Sequence, residues 1–296
     1  MEFKIVQISG GLGNQMFQYA FAKSLQVSLD VPVLLDVTWF DGYSDLRELG
    51  LNLFNIDLKY ANQQQIDYAK MMENKPKLIR SILKRLDLYR ISNNIEFEYI
   101  PKLLKPSRLI YFRGCFQDPR YFASISSIIK QTFTPPPLPP QDSEHKEQYK
   151  QKLAQILESK NSVFVHIRRG DYVGLSWQLH IDYQLRAIKY MSERVENMEL
   201  FLFCEDLEFV RNLDLGYPFI DMTTRDAGAN QSHLDMMLMM SCKHGIIANS
   251  TYSWWAAYLI NNEAKIIIAP SYWLFGYENI ICDDWIKLES RLEAKS

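Results

Sequence analysis

Along this chain, short unbroken apolar runs alternate with longer stretches whose apolar residues recur at three- and four-residue spacing. That is the pattern of strands buried on both faces alternating with helices. Residues 3–9 form the first apolar run, followed by Gly10-Gly11-Leu12-Gly13-Asn14 and then by a helical pattern over residues 15–25. Residues 31–37 give a second strand, so the chain opens with a β-α-β unit. The signal weakens into an aromatic and acidic loop over residues 38–53, with Trp39, Phe40 and Tyr43 available to stack on a sugar. Residues 75–90 carry Lys75, Lys77, Arg80, Lys84, Arg85 and Arg90 beside Leu78, Ile79, Ile82, Leu83 and Leu86, which predicts an amphipathic basic helix. Residues 109–113 predict a strand. Residues 118–133 predict a helix with Asp118 as its cap and Pro119 at its first position.

A run of prolines at 135, 136, 137, 139 and 140 fits neither helix nor strand interior and tends to extended geometry, as linkers do. It sets the expected organisation: a first domain over residues 1–134, a linker over 135–148 and a second domain over 149–296. The second half keeps a strand-helix rhythm. Strands are expected at 163–167, 200–204, 218–222, 245–248 and 265–269, and helices at 144–158, 182–196, 207–213, 233–244 and 252–261. Such alternation builds parallel sheets with helices on both faces, and hence two Rossmann-like α/β domains. Two such domains facing across a cleft would set the glycine turn opposite the charged end of residues 163–167.

Composition narrows the function classes. The 296 residues are 47% hydrophobic and 23% charged, an ordered globular composition. A formal net charge of -2 lacks the basic excess a general nucleic-acid binder needs, so no nucleic-acid partner is expected. Cys115, Cys204, Cys242 and Cys282 are scattered without metal-ligand or disulfide-scaffold spacing, which fits reduced thiols in a cytoplasmic protein. The amino-terminal apolar stretch is too short for a signal peptide, and no apolar run approaches about 18 residues. For the basic helix two readings stand: a face packed on its own domain, or peripheral docking to an anionic membrane surface.

The candidate chemistry gathers where strands end. Val163-Phe164-Val165-His166-Ile167 runs straight into Arg168-Arg169-Gly170-Asp171. In open α/β sheets ligands bind beyond the strands' carboxyl ends, and paired guanidiniums there suit a diphosphate, although a solvated turn would look the same. In an extended backbone the two arginines alternate faces, so one could meet ligand while a carboxylate such as Asp171 holds the other. His166 serves equally as a core histidine or a ligand contact. Glu205 and Asp206 follow the next strand, with Asp206 also placed to cap a helix. Asn249-Ser250-Thr251-Tyr252-Ser253 opens another helix, where hydroxyls either cap it or hold phosphate. In the glycine turn, Gly11 and Gly13 allow close backbone approach, while Asn14 offers a donor and an acceptor to a sugar. Trp254, Trp255 and the methionines at 236, 237, 239 and 240 read as core.

Four ordered motifs, residues 10–20 (GGLGNQMFQYA), 166–172 (HIRRGDY), 203–206 (FCED) and 249–258 (NSTYSWWAAY), together resemble the motif set of bacterial alpha-1,2-fucosyltransferases, glycosyltransferase family 11. The resemblance implies a two-domain B-type glycosyltransferase fold (GT-B). It also implies GDP-fucose as donor, inversion at the anomeric carbon, transfer to the 2-hydroxyl of a terminal β-galactoside in surface glycan or lipopolysaccharide antigen synthesis, and no metal or other cofactor.

By the same resemblance an arginine of the His-x-Arg motif, here Arg168 or Arg169, holds the donor β-phosphate with Ser250, Thr251 or Ser253. His166 and Asp235 contact the nucleoside, and Asn14 orients fucose or acceptor. The implied donor site is Gly11, Gly13, His166, Arg168, Arg169, Glu205, Asp206, Asp235, Asn249, Ser250, Thr251 and Ser253; Arg168, Arg169, Asp171 and Asn14 are the implied catalytic set. Related alpha-1,6 enzymes carry a glutamate shortly after the arginines, which residues 172–176 lack. Asp171 is therefore the first candidate for the base, with His180 and Asp182 behind it. The alternatives are a GDP-sugar transferase of another linkage and a non-catalytic nucleotide-sugar-binding module.

Overall fold

The computed structural model describes residues 3–42, 47–86, 88–134, 143–223 and 232–290. Tyr43 and residues 135–142 of the proline segment lie outside them. The chain divides into two compact units, residues 1–136 and 137–296. The expected linker extends too far: residues 143–148 belong to a helix, Ser143–Glu158, because the helix-breaking prolines stop at Pro140.

The first unit is built from strands β1 (Lys4–Gln7), β2 (Val33–Asp36), β3 (Lys59–Tyr60), β4 (Ile91–Ile95) and β5 (Tyr111–Gly114). Its helices are α1 (Leu12–Leu29), α2 (Gln63–Lys70), α3 (Lys77–Arg85) and α4 (Ser126–Thr132). The sheet is parallel throughout, in the order β3-β2-β1-β5-β4. Strand order therefore reverses between β1 and β5, the place where such sheets open a ligand crevice. Helix α1 starts three residues earlier than its periodicity suggests. Gly10 turns the chain at φ +73°, Gly11 takes the cap position, and Leu12, Gly13 and Asn14 already form the first helical turn. Met16, Phe17, Tyr19, Ala20, Phe21, Ala22 and Leu25 are all fully buried, so α1 is wrapped by core on nearly every side.

The helix expected at 118–133 is broken into two 3-10 turns and the short α4. Asp118 does cap the first turn, accepting from the Arg120 N–H at 2.9 Å. The weakly patterned β3, α2 and β4 escape the hydrophobic pattern altogether: β3 is two exposed residues, and α2 buries only Ile66 and Ala69.

The second unit contains α5 (Ser143–Glu158), β6 (Ser162–His166), α6 (Gly170–Gly174), α7 (Ile181–Ser192), β7 (Glu199–Phe203) and α8 (Leu207–Arg211). It continues with β8 (Phe219–Asp221), α9 (Ser232–Ser241), β9 (His244–Ile246), α10 (Thr251–Leu259), β10 (Ile267–Pro270) and β11 (Ile286–Leu288). Its six strands are also all parallel, in the order β11-β10-β9-β6-β7-β8. Within the unit this is the doubly wound order 3-2-1-4-5-6, and the reversal falls between β6 and β9. Every residue of β6 is buried. Val163 and Val165 pack into a cluster with Tyr183, Ala187 and Met191 of α7, and with Ile246 and Ile268. Gly245 accommodates the ring of Phe164, which would lie 2.3 Å from an added Cβ. Trp254 and Trp255 are fully buried core residues.

Two fold-level outcomes follow. Gly114→Ala would push a Cβ to 2.1 Å from the Ile95 carbonyl oxygen, a backbone atom that cannot rotate away. Chemical denaturation should show the first unit destabilised by about 1–3 kcal/mol.

Asp36, fully buried, accepts from Lys70 Nζ at 2.8 Å, Tyr111 Oη at 2.6 Å and Thr38 Oγ1 at 2.6 Å. Burial alone would raise its pKa, but these hydrogen bonds together hold it below the ordinary value of 3.8. Its stabilisation is thus complete above the unfolded pKa and is lost as pH falls through the lower, folded one. Asp36→Asn should cost about 3 kcal/mol at neutral pH and flatten the acid limb of the first unit's melting curve.

Candidate active site

At the switch point of the second unit, β6 ends at His166 and the chain leaves the sheet through Ile167, Arg168 and Arg169. The guanidiniums part company there. Arg169 turns toward β7: its Nε donates to Asp206 at 2.7 Å, its N–H donates to Glu205 at 3.1 Å, and its plane lies 4.0 Å over Phe209. Asp206 is itself fixed as the cap of α8, accepting from the Phe209 N–H at 2.9 Å, so this arginine is locked to the strand-β7 side. Arg168 pairs with Asp171 and, at 3.2 Å, with Glu205, and it lies 5.2 Å over the Tyr172 ring. Tyr172 in turn bridges to β9, donating to the Asn249 carbonyl at 3.3 Å and hydrogen-bonding with Ser250. Arg168 therefore stands at the crevice between β6 and β9, while Arg169 stands behind it. The alternation expected of the two side chains is present, with carboxylates holding both.

The conformation of this loop depends on Gly170. Its φ is +28°, and an added Cβ would lie 2.7 Å from Oε1 of Glu205, the carboxylate that touches both arginines. Glu205 and Asp206, expected to contact the donor, orient guanidiniums. Asp171, the first candidate for the base, is the ion-pair partner of Arg168 and remains 42% exposed. The weaker base candidates have a local role: His180 caps α7 and pairs with Asp182 at 3.1 Å, on an exposed surface.

Across the switch point, Ser250 occupies the cap position of α10 without a capping hydrogen bond from its side chain, and both it and Asn249 are buried. Asn249 Nδ2 donates to the Trp177 carbonyl at 2.9 Å, while its buried Oδ1 has no partner among the described residues. Thr251 begins α10 at the crevice. Ser253 departs from its expected role: fully buried, it accepts from the Ala248 N–H and donates to the Ser250 carbonyl, both at 3.3 Å, and so closes the turn.

His166 lies beneath this turn, with its ring centroid 5.9 Å from that of Tyr252. Burial, aided by the Arg168 charge, pulls its pKa down to about 3, so the ring is neutral, and its buried Nδ1 has no partner among the described residues. Tyr252 accepts from the Met236 N–H at 2.8 Å, which ties α10 to the first turn of α9, where half-buried Asp235 lies. Asp235 raises the Tyr252 pKa further, after burial, which places its carboxylate beside that phenol. The structure thus gathers His166, Arg168, Ser250 and Asp235 around Tyr172 and Tyr252, two residues that sequence reasoning passed over. Their only signal was polarity at an otherwise apolar helix start.

Gly11, Gly13 and Asn14 belong to the other unit, at the β1/β5 switch point. There Gln15, buried in α1, donates to the Gly10 carbonyl at 2.9 Å and the Glu48 carbonyl at 2.8 Å. Gln18 accepts from the Ser9 N–H and donates to the Gly114 carbonyl, joining the ends of β1 and β5. Asn14 Oδ1 accepts from Gln117 Nε2 at 3.0 Å. Gln117 is buried, its Oε1 without a partner among the described residues, and it follows Phe116, which is held at φ +51° by a 3.9 Å stack on Phe21. Two glutamines on a buried helix face were a legible signal. Gln117 left none, because its position depends on the Phe116 turn.

Among the described residues no group of three or more His, Cys, Asp or Glu is arranged to hold a metal ion, and no helix is long and apolar enough to cross a membrane.

The sequence model described as Glycosyl transferase family 11 matches residues 6–288. The chain is 31% identical over 302 residues to an alpha-1,2-colitosyltransferase of Escherichia coli, covering 98% of this chain and 100% of that one. It is 31% identical over 316 residues to the Escherichia coli O-antigen biosynthesis glycosyltransferase WbnK, covering 95% and 99%. Its structure resembles that of the NodZ alpha-1,6-fucosyltransferase soaked with GDP-fucose, with a TM-score of 0.52, 14% identity and coverage of 87% and 92%. That likeness shows the fold, the two parallel-sheet units of B-type glycosyltransferases. With the family's motifs at both switch points and the match running across nearly its whole length, the chain belongs to glycosyltransferase family 11.

Proposed function

We propose that this glycosyltransferase moves L-fucose from GDP-fucose to the 2-hydroxyl of a terminal β-galactoside, with inversion and without a metal. The observation that carries the reading is Arg168 at the β6/β9 crevice, paired among the described residues with two partly exposed carboxylates. A diphosphate entering the crevice exchanges with Asp171 and Glu205 for the guanidinium, and the forked donors then stabilise the charge that grows as the C1–O bond to GDP breaks. The buried hydroxyl of Ser250 and the amino terminus of α10 lie on the other side of that charge. On this reading His166 and Asp235 serve the nucleoside, where a carboxylate can accept from two guanine N–H groups together. Release from Arg168 frees Asp171 to accept the proton of the attacking hydroxyl.

A second donor has its own support: the colitosyltransferase relative matches the whole chain. Colitose lacks the 3-hydroxyl of fucose, so a site that hydrogen-bonds this hydroxyl would reject the colitosyl donor strongly.

The decisive assay offers GDP-fucose and GDP-colitose together with lactose, with and without EDTA, and reads product mass and linkage. A 2-linked fucosyl product insensitive to EDTA is expected. A colitosyl product would transfer the donor assignment to colitose and keep the linkage, whereas donor binding with no transfer to any β-galactoside would favour a non-catalytic module. In the same assay Asp171→Asn should lower kcat by about 100-fold or more with little change in GDP affinity, and normal turnover would remove Asp171 from the role of base.

The two arginines should separate in a GDP titration. Arg168→Lys is expected to weaken GDP by about 10–100-fold, and Arg169→Lys by less than about fivefold. Equal losses would show that both guanidiniums reach the diphosphate.

A further inference from the structure

Helix α3 has no buried residue. Leu78 is 74% exposed, Ile79 43%, Ile82 49% and Leu86 61%, a density of open apolar side chains that no solvated helix needs. At 100° per residue these four fall within one arc of the helix, with Leu83 at its edge. Lys77, Ser81, Lys84 and Arg85 occupy the adjoining arc, with Arg85 beside Leu78. Arg80 and Leu83 are the less exposed positions, and Leu83 packs on the cluster of Ile66, Ala69, Tyr89 and Ile91. The helix therefore rests on the protein along a line through Arg80 and Leu83, with one flank apolar and the other basic, both open to the outside.

No acidic residue lies between Glu73 and Asp87, and none of the ion pairs among the described residues engages Lys75, Lys77, Arg80, Lys84, Arg85 or Arg90. Lys84 lies over the Tyr89 ring at 5.0 Å and still presents its charge outward.

We infer that α3 docks the first unit onto an anionic lipid surface, its apolar flank entering the headgroup boundary and its basic flank lying among the lipid phosphates. Charge complementarity selects this occupant. A second copy of the chain would bring two basic flanks together, which like-charge repulsion opposes. A nucleic acid would satisfy the lysines and arginines but give the leucines nothing apolar to enter. An anionic bilayer satisfies both flanks of one helix at once, the hydrophobic and electrostatic contributions that bind interfacial helices.

The test uses the full chain in co-sedimentation with vesicles of phosphatidylcholine containing about one-third phosphatidylglycerol, and with phosphatidylcholine alone, at about 0.05 and 0.5 M salt. Partitioning should require the anionic lipid and fall at high salt. Lys77→Gln with Lys84→Gln and Arg85→Gln should weaken it by about 100-fold, and Leu78→Ser with Leu86→Ser by at least about tenfold. GDP affinity, carried by the other unit, should stay unchanged in both variants, and an unchanged denaturation midpoint of the first unit serves as the folding control. Absence of partitioning, equal partitioning onto phosphatidylcholine alone, or indifference to both variants would overturn the inference. So would self-association abolished by the leucine variant, which would assign the face to a second copy. Duplex DNA binding that survives the leucine variant, in a chain that ignores vesicles, would also overturn it.

Discussion

A strand flanked by parallel neighbours and covered on both faces has no room for charge along its length, and this constraint organises the second unit. Strand β6 is buried at all five positions, so its first charged side chains can appear only after Ile167, beyond the edge of the sheet. Strands β7 and β9 are likewise buried at their carboxyl ends, and the polar residues Glu205, Asp206, Asn249 and Ser250 come just past the last apolar one. Parallel pairing puts those three ends side by side. The assembly of guanidiniums, carboxylates and hydroxyls is thus a consequence of strand register as much as of the side chains themselves.

Within that assembly the carboxylates determine what each arginine can do. Asp206 is committed twice, to the start of α8 and to Arg169, so that ion pair is part of the scaffold. The partners of Arg168, Asp171 and Glu205, sit closer to solvent. Two adjacent residues of identical type are thereby held differently, one tied to the start of α8 and the other to carboxylates nearer solvent. Tyr172 keeps Arg168 in register with the β9 turn.

The strong apolar runs made most of the architecture legible before any coordinates: β1, β2, β6, β7 and β10 lie where their residues place them, and the strand-helix alternation identifies both parallel sheets. What escaped was either too short to show a period, as in β3, or dependent on distant partners. Strand β11, three residues near the end, is a strand only because β10 offers it an edge. The site was partly legible. The double arginine and the Asn249 turn stand out by composition, yet which guanidinium faces the crevice depends on contacts to residues 36 or more positions away. Ser253 looked like its neighbours Ser250 and Thr251, and only its burial shows that it closes the turn.

The neutrality of His166 bears on how the enzyme's kinetics should be interpreted. A histidine in the active site is the usual suspect for any titration seen between pH 5 and 8. Here the imidazole is sealed under the crevice and stays unprotonated across that whole range. A change in rate near neutral pH therefore reports some other group, such as a nucleotide phosphate. His166 is a fixed dipole in this enzyme and will be silent in its pH–rate profile.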